Sequence, residues 1–298
     1  MLLKALRGGR AVPAFNFYNL ESLNAIARAA AAIKAPVIFA ASESAIEYMG
    51  DDFLRFAASL HPLHLDHGRT MESVKHAVSL GFQSVMFDGS FLSFSENVRL
   101  TKKAAQYAHK HGVWIEAELG VLCGREDSLR GPIPPFSGGG GAKGAEEWLY
   151  TDPIQAKKFV ELTGCDSLAI AIGTSHGAYK GNGKLRFDIL KEIRRLLPKM
   201  PLVLHGASQI PQKYAKILKL KKAAGISAAE IRHAVRLGIN KVNIDSDARL
   251  AWLAAMKSLF SPLVISEKTG IDPRLFLSAA RDEMTELYKK EIKLIAGL

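Results

Sequence analysis

Residues 84–89 read Ser84-Val85-Met86-Phe87-Asp88-Gly89: a run of consecutive apolar side chains closed by an acid and a glycine. Consecutive apolar residues leave neither face of an extended segment polar. That fits a parallel strand buried on both faces better than a half-exposed strand of alternating polarity. The same short run recurs along the chain, at Ala11–Asn16, Pro36–Ala40, Pro62–Asp66, Val113–Glu118, Ser167–Ile172, Leu202–Leu204 and Lys241–Ile244. A helix-period stretch follows each, the first at Leu20–Ala32 and the last at Ser246–Leu259. Strand–helix alternation implies right-handed βαβ units, and eight of them predict an α/β fold of the (β/α)8 TIM-barrel type. A doubly wound open sheet is the alternative, but no GxGxxG follows the first strand to support it. No composition shift marks a boundary, so residues 1–298 are expected to form one domain. The tail beyond Pro262 reads as extra helix, Asp272–Ala279 and then Glu283–Ile295.

Composition narrows the classes. Of 298 residues, 48% are hydrophobic and the net charge is +11, a balance that suits phosphorylated partners. No zinc-finger or RNA-binding motif accompanies that charge, so no nucleic-acid partner is expected. The longest charge-free stretches, Ser167–Tyr179 and Met200–Gln212, fall short of the ~20 apolar residues of a membrane span. No membrane partner is expected. Cys123 and Cys165 form no CxxC pair, which fits a reducing compartment, and the N-terminus carries no apolar signal core. A cytoplasmic location is expected.

The chemically unusual residues sit where strands end. In a parallel barrel all of these ends open on one face, where residues remote in sequence converge. Leu65-Asp66-His67-Gly68 follows the third strand, Phe87-Asp88-Gly89 the fourth, and Glu116-Ala117-Glu118 closes the fifth. Gly173-Thr174-Ser175-His176-Gly177 follows the sixth and Leu204-His205-Gly206-Ala207-Ser208 the seventh. His67, His176 and His205 each precede glycine, and three neutral imidazoles with an open position make a catalytic zinc site. The other six histidines, His64 among them, are taken as surface or packing residues. Asp66 is either a proton donor and acceptor or a carboxylate orienting a histidine. Asp88 and Glu118 are additional oxygen ligands or the acidic partners of the histidines. Gly173–Ser175, Gly206–Ser208 and Asn243–Ser246 are small hydroxyl-bearing loops on strands six to eight, where barrel phosphate sites form. With Lys180 and Arg249 they point to an anionic ligand.

These segments together resemble the class II, metal-dependent ketose-bisphosphate aldolases. Leu63–Gly68 and Gly173–Lys180 carry the likeness most specifically, and Val12–Asn16, Glu116–Gly120, Val203–Ser208, Lys241–Arg249, Asp272–Arg274 and Arg281 extend it in order. The resemblance implies catalytic zinc on His67, His176 and His205, with Glu118 and Asp88 as an alternative metal position. It implies that Asp66 exchanges the C4 hydroxyl proton and that Glu126 serves the three-carbon ketone. Gly177, Gly206, Ser208, Asn243, Asp245 and Ser246 would hold the ketone and its phosphate. Asn16 and Ser42 would touch the rest of the substrate, with Lys180, Arg249 and Arg274 for the anionic groups. It further implies a homodimer or homotetramer and admits a monovalent cation, Na+ or K+. Gly68 favours fructose 1,6-bisphosphate over tagatose 1,6-bisphosphate as substrate. A Schiff-base mechanism on Lys241 or Lys180 is the poorer reading beside the histidine set. Three departures stand out: Gln209 follows Ser208 where the family more often has glycine or a small residue, Leu129–Trp148 is long and rich in Gly and Pro, and Lys213–Lys222 is unusually basic, as a solvated helix face would be.

Overall fold

The structure is a computed structural model, and it describes residues 1–121, 150–175, 185–221, 223–260 and 272–298. The strands are β1 (Val12–Asn16), β2 (Ile38–Ser42), β3 (Leu63–Gly68), β4 (Ser84–Phe87), β5 (Trp114–Leu119), β6 (Ser167–Ile170), β7 (Leu202–Leu204) and β8 (Ile239–Ile244). The helices through the fifth strand are α1 (Leu2–Arg7), α2 (Leu20–Ile33), α3 (Glu43–Met49), α4 (Asp51–Leu60), α5 (Met71–Ser79) and α6 (Phe94–Lys110). Then come α7 (Pro153–Thr163), α8 (Phe187–Leu196), α9 (Gln212–Leu218), α10 (Ala228–Arg236), α11 (Ser246–Leu259) and α12 (Pro273–Ala296). The eight strands close into a barrel in sequence order, each parallel to its neighbours, with Ala14 of β1 opposite Asn243 of β8.

Local chemistry sets the element ends. Asn19 and Ser22 form a capping box on α2, and Ser227 and Glu230 another on α10, satisfying backbone donors that no helical turn can reach. Asp152 and Asp272 cap helices whose next residue is proline, a residue with no N–H to leave unpaired. β2 begins at Ile38, two residues later than the run at Pro36 suggests, since proline brings no ladder donor. The two helices expected in the tail are one, α12: buried Ala280 bridges the gap, and Arg281 and Asp282 merely line its outer face as an ion pair. No apolar periodicity announced the short helices α1, α3 and α9.

Side-chain parity divides each strand. Outward residues such as Phe15, Leu63, Leu65, Val85, Ile115 and Val242 join the helices in one apolar layer. Inward, Met86, Ala169 and Val203 form a small apolar cluster within the barrel. Their inward neighbours are polar and buried: His64, Asp66, Glu116, Glu118, Lys241 and Asn243. The apolar outward layer holds the scaffold, and the inward layer is given over to chemistry. Leu2, Ala5 and Val12, with Ile38 and Trp114, pack at the strand starts. Among the described residues no helix is long and apolar enough to cross a membrane.

Candidate active site

Two consecutive residues of an extended strand point to opposite faces, yet Asp66 and His67 both serve the barrel interior. The backbone explains it. His67 takes φ +52° and the β3–β4 register shifts between Leu65 and Gly68, so the ladder breaks where the two side chains converge. A left-handed conformation is uncommon for a residue with a Cβ and marks a functional constraint.

Asp66 is 4% exposed and is held by two amides: Asn16 Nδ2 donates to Oδ2 at 2.9 Å and Asn243 Nδ2 donates to Oδ1 at 2.8 Å. Burial alone would raise its pKa, but His67, His205 and Lys241 outweigh that and hold the carboxyl well below the usual range. It is an ionised carboxylate. His67 Nδ1 lies 2.9 Å from Asp88 Oδ2 and 3.5 Å from Glu118 Oε2. Burial opposes its charge, yet Asp66, Asp88 and Glu118 push its pKa up to about 9. Asp88 also accepts from the N–H and hydroxyl of Ser90, at 3.0 and 2.7 Å. Glu118 is 1% exposed, its Oε2 meets no hydrogen-bond partner among the described residues, and burial beside Asp88 drives its pKa well up. A buried carboxyl in that condition either keeps a proton or meets a cation.

Beneath this layer lies a second one. Lys241, 1% exposed, donates to Glu116 Oε1 and Oε2 at 2.8 and 2.9 Å, and its Nζ is 2.9 Å from His64 Nε2. Burial and Lys241 lower the His64 pKa to about 3, so His64 is neutral. Its Nε2 accepts from the ammonium, and Nδ1–H therefore donates to Ser84 Oγ at 2.8 Å. His205 is neutral as well, lowered by burial and by His67, and its Nε2 donates to Glu116 Oε1 at 3.1 Å. That bond fixes the tautomer and makes Nδ1 the basic nitrogen of His205, as a carboxylate behind a histidine ligand does. The same logic on the Asp88 side makes Nε2 the basic nitrogen of His67. The two rings stand edge to face, centroids 4.4 Å apart.

The donor set fits a divalent metal. Asp66, His67 and His205 bring ligand atoms within 4.8 Å of one another, and so do His67, Asp88 and Glu118. His67 belongs to both groups. Nitrogen with carboxylate oxygen suits zinc and other borderline divalent ions. Cys165 is no competing ligand: burial pushes its thiol up to about 12.

Around the metal-directed groups stand the other expected residues. Ser42 ends β2 opposite Asp66 and caps α3. Gly206 takes φ +61°, and a Cβ there would lie 2.8 Å from the carbonyl oxygen of Ser175, so only glycine lets the two loops touch. Ser208 is buried two residues on, and Ser246 opens α11. Asp245 accepts from the Tyr18 hydroxyl and, at 2.8 Å, from Arg249 Nε, while the Arg249 guanidinium lies 4.9 Å above the Tyr18 ring. Arg274 is not brought to this group: its side chain is 88% exposed and, among the described residues, its hydrogen bonds go to Asp272. Glu126, His176, Gly177 and Lys180 lie outside the described residues.

Three residues were set aside or missed in the sequence. His64, taken as surface or packing, is a buried partner of Lys241. Glu116 orients His205. Lys241 is pinned between Glu116 and His64, which removes it from nucleophilic duty. A signal existed: each lies two residues before an expected site residue (Asp66, Glu118, Asn243), which puts it one inward layer below.

A parallel barrel with paired histidines and carboxylates at its strand ends is the frame of a metal-dependent barrel enzyme. A family model described as class-II fructose-bisphosphate aldolase matches residues 1–297. A fructose-bisphosphate aldolase of Giardia intestinalis is 40% identical over 98% of this chain and 90% of its own length. One of Thermus caldophilus is 40% identical over 100% and 97%. The crystal structure of the YdjI aldolase from Escherichia coli K12 superposes with a TM-score of 0.76 at 31% identity, covering 99% of this chain and 94% of that one. The chain belongs to the class II fructose-bisphosphate aldolase family, whose members are metal-dependent lyases.

Proposed function

We propose that the protein reversibly cleaves fructose 1,6-bisphosphate into dihydroxyacetone phosphate and glyceraldehyde 3-phosphate, with zinc as the metal, as a step of glycolysis and gluconeogenesis. The observation that carries the reading is Asp66, an ionised carboxylate clamped by Asn16 and Asn243 within reach of the metal-directed atoms of His67 and His205. Zinc held there would act as a Lewis acid on the ketone, drawing off the electrons freed when the C3–C4 bond breaks.

The rest is the work of the chain. Asp66 takes the C4 hydroxyl proton as that carbon becomes the aldehyde, and returns it in condensation. Asn16 and Asn243 spend their N–H donors on Asp66, which keeps it aimed. Among the described residues their Oδ1 atoms meet no hydrogen-bond partner, and they suit sugar hydroxyls. Glu126 would exchange the proton at C3 of the three-carbon ketone. The Gly206–Ser208 loop and the start of α11 present backbone N–H groups and hydroxyls to a phosphate. Glu116 and Lys241 hold His205 from below. Exposed Leu253 on α11, Phe260 just after it and Leu275 on α12 support a homodimer or homotetramer.

The test is triose phosphate release from fructose 1,6-bisphosphate before EDTA, after it, and after zinc is restored. Loss and rescue are expected, without free phosphate. Activity that survives chelation but is lost to borohydride would replace zinc by a lysine mechanism. Equal or faster cleavage of tagatose 1,6-bisphosphate would reassign the substrate, and Na+ or K+ added to the same assay tests for activation.

A further inference from the structure

The loop after β7 carries His205, Gly206 and Ser208, and its conformation is costly. Gly206 and Ile210 both have positive φ, +61° and +56°, and Ile210 is β-branched. Inside the fold, Asp247 holds it: Oδ2 accepts from Gln209 N and Oδ1 from Ile210 N, each at 2.7 Å. Ile226 N donates to Ser208 O at 3.1 Å, and Gly225 packs so closely that a Cβ there would lie 2.3 Å from that oxygen.

The outer side is different. It faces a cavity of about 650 Å³ lined by Pro211, Tyr214, Ile226, Leu287 and Leu294, so close packing does not brace it there. A polar contact crosses from the loop to α12: Gln209 Nε2 donates to Glu291 Oε1 at 2.6 Å. Glu291 is 2% exposed and, among the described residues, its Oε2 meets no hydrogen-bond partner. Gln209 is the residue whose bulk departs from the family pattern. Its amide turns to the helix, and a buried acid stands there to receive it.

We propose that Glu291, acting through Gln209, is a positioning residue for substrate phosphate, fixing the Gly206–Ser208 loop from outside the barrel. This rests on reading that loop as the phosphate site. The charged and titratable groups facing Glu291 are Asp247 of α11 and Tyr214 of α9, with Lys290 beside it on its own helix. Burial, and then Asp247, raise the Glu291 pKa to about 8. Burial and Asp247 oppose its ionisation, while the Gln209 amide, donating to Oε1, favours the charged form.

Steady-state kinetics on the zinc-loaded full chain tests it. Gln209→Ala and Glu291→Leu should each raise KM for fructose 1,6-bisphosphate about 3- to 10-fold, the worth of one hydrogen bond, with kcat within about twofold. The double variant should be no worse than either single one, because both remove the same contact. Glu291→Gln, whose side-chain carbonyl can still accept from Gln209, should keep the original KM at pH 7. Ser208→Ala separates the two layers of the argument. If it raises KM while Gln209→Ala and Glu291→Leu do not, the positioning role is wrong and the phosphate loop stands. If it leaves KM unmoved, the phosphate reading falls and the proposal with it. Should Glu291→Leu fail to fold, Gln209→Ala and Glu291→Gln decide; a KM unmoved in Gln209→Ala, or raised as much in Glu291→Gln as in Gln209→Ala, overturns the role.

Discussion

Strands β3 to β5 and strands β7 to β8 open on the same face of the barrel but hold their groups there by opposite means. The first half crowds Asp66, His67, Asp88 and Glu118 together and satisfies them with one another. The second presents Asn243 on β8 and, in a loop kept at positive φ by Asp247, Gly206 and Ser208. A cluster of buried carboxyls suits a cation; the loop is defined by its backbone conformation. One half should therefore answer to charge and pH, the other to backbone shape.

The sharpest way to break this contrast is to remove charge from the first half while keeping its shape. Asp66→Asn should lower kcat about 10²- to 10⁴-fold, the usual worth of a positioned proton acceptor. Metal content, read by atomic absorption, should stay near one per chain because His67 and His205 remain. Equal loss of metal and activity would make Asp66 a ligand instead of a base. Next is Glu116→Leu, which leaves the Lys241 ammonium buried with no carboxylate. About 3–5 kcal/mol of stability should be lost in urea unfolding, and Glu116→Leu with Lys241→Met should recover most of it. A double variant as weak as the single one would mean the ion pair is not what the site rests on.

The same half should be readable by pH. The folded His67 pKa, about 9, lies above the ordinary value of 6.5. Protonation of His67 thus stabilises the metal-free protein fully below about pH 6.5, and that contribution is lost as pH rises through 9. A ligating imidazole must give up its proton, so apparent zinc affinity should fall about tenfold per unit as pH drops below 9. Thermal melts of chelated protein from pH 6 to 9, beside zinc titrations over the same range, check both slopes. The loop half should yield instead to Gly206→Ala, whose Cβ meets Ser175 at 2.8 Å. A KM increase with a loss of about 1–3 kcal/mol is expected.

How far the sequence disclosed this depended on period. The eight apolar runs placed the strands to within two or so residues, because burial on both faces writes itself directly into composition. Asp66, His67 and His205 were legible because polar residues followed by glycine are conspicuous at the end of an apolar run. His64, Glu116 and Lys241 were not, although they sit on the same strands. Within a run, an inward polar residue looks like an interruption until the barrel closes and its partner arrives from a strand 125 to 177 positions away. The left-handed backbone of His67 was equally hidden: nothing in Leu65-Asp66-His67-Gly68 announces that the ladder breaks there. Long-range pairing and strain are properties of closure, and only the closed barrel displays them.

Arg274 gives the smallest expected effect and a clean test of the boundary between the two halves and a neighbour. The family likeness assigns it to the second phosphate, yet within one chain its guanidinium is 88% exposed and pairs with Asp272. An exposed pair of that kind contributes little to folding, so Arg274→Ala should change unfolding free energy by no more than about 0.5 kcal/mol. Its kinetic effect depends on where the substrate's far end lies. If a second copy of the chain brings α12 beside the strand ends, KM should rise with stability unmoved, and light scattering should show the same oligomer before and after substitution. If KM also stays level, the second phosphate is left to Arg249, which Asp245 and the Tyr18 ring already hold in place within the chain.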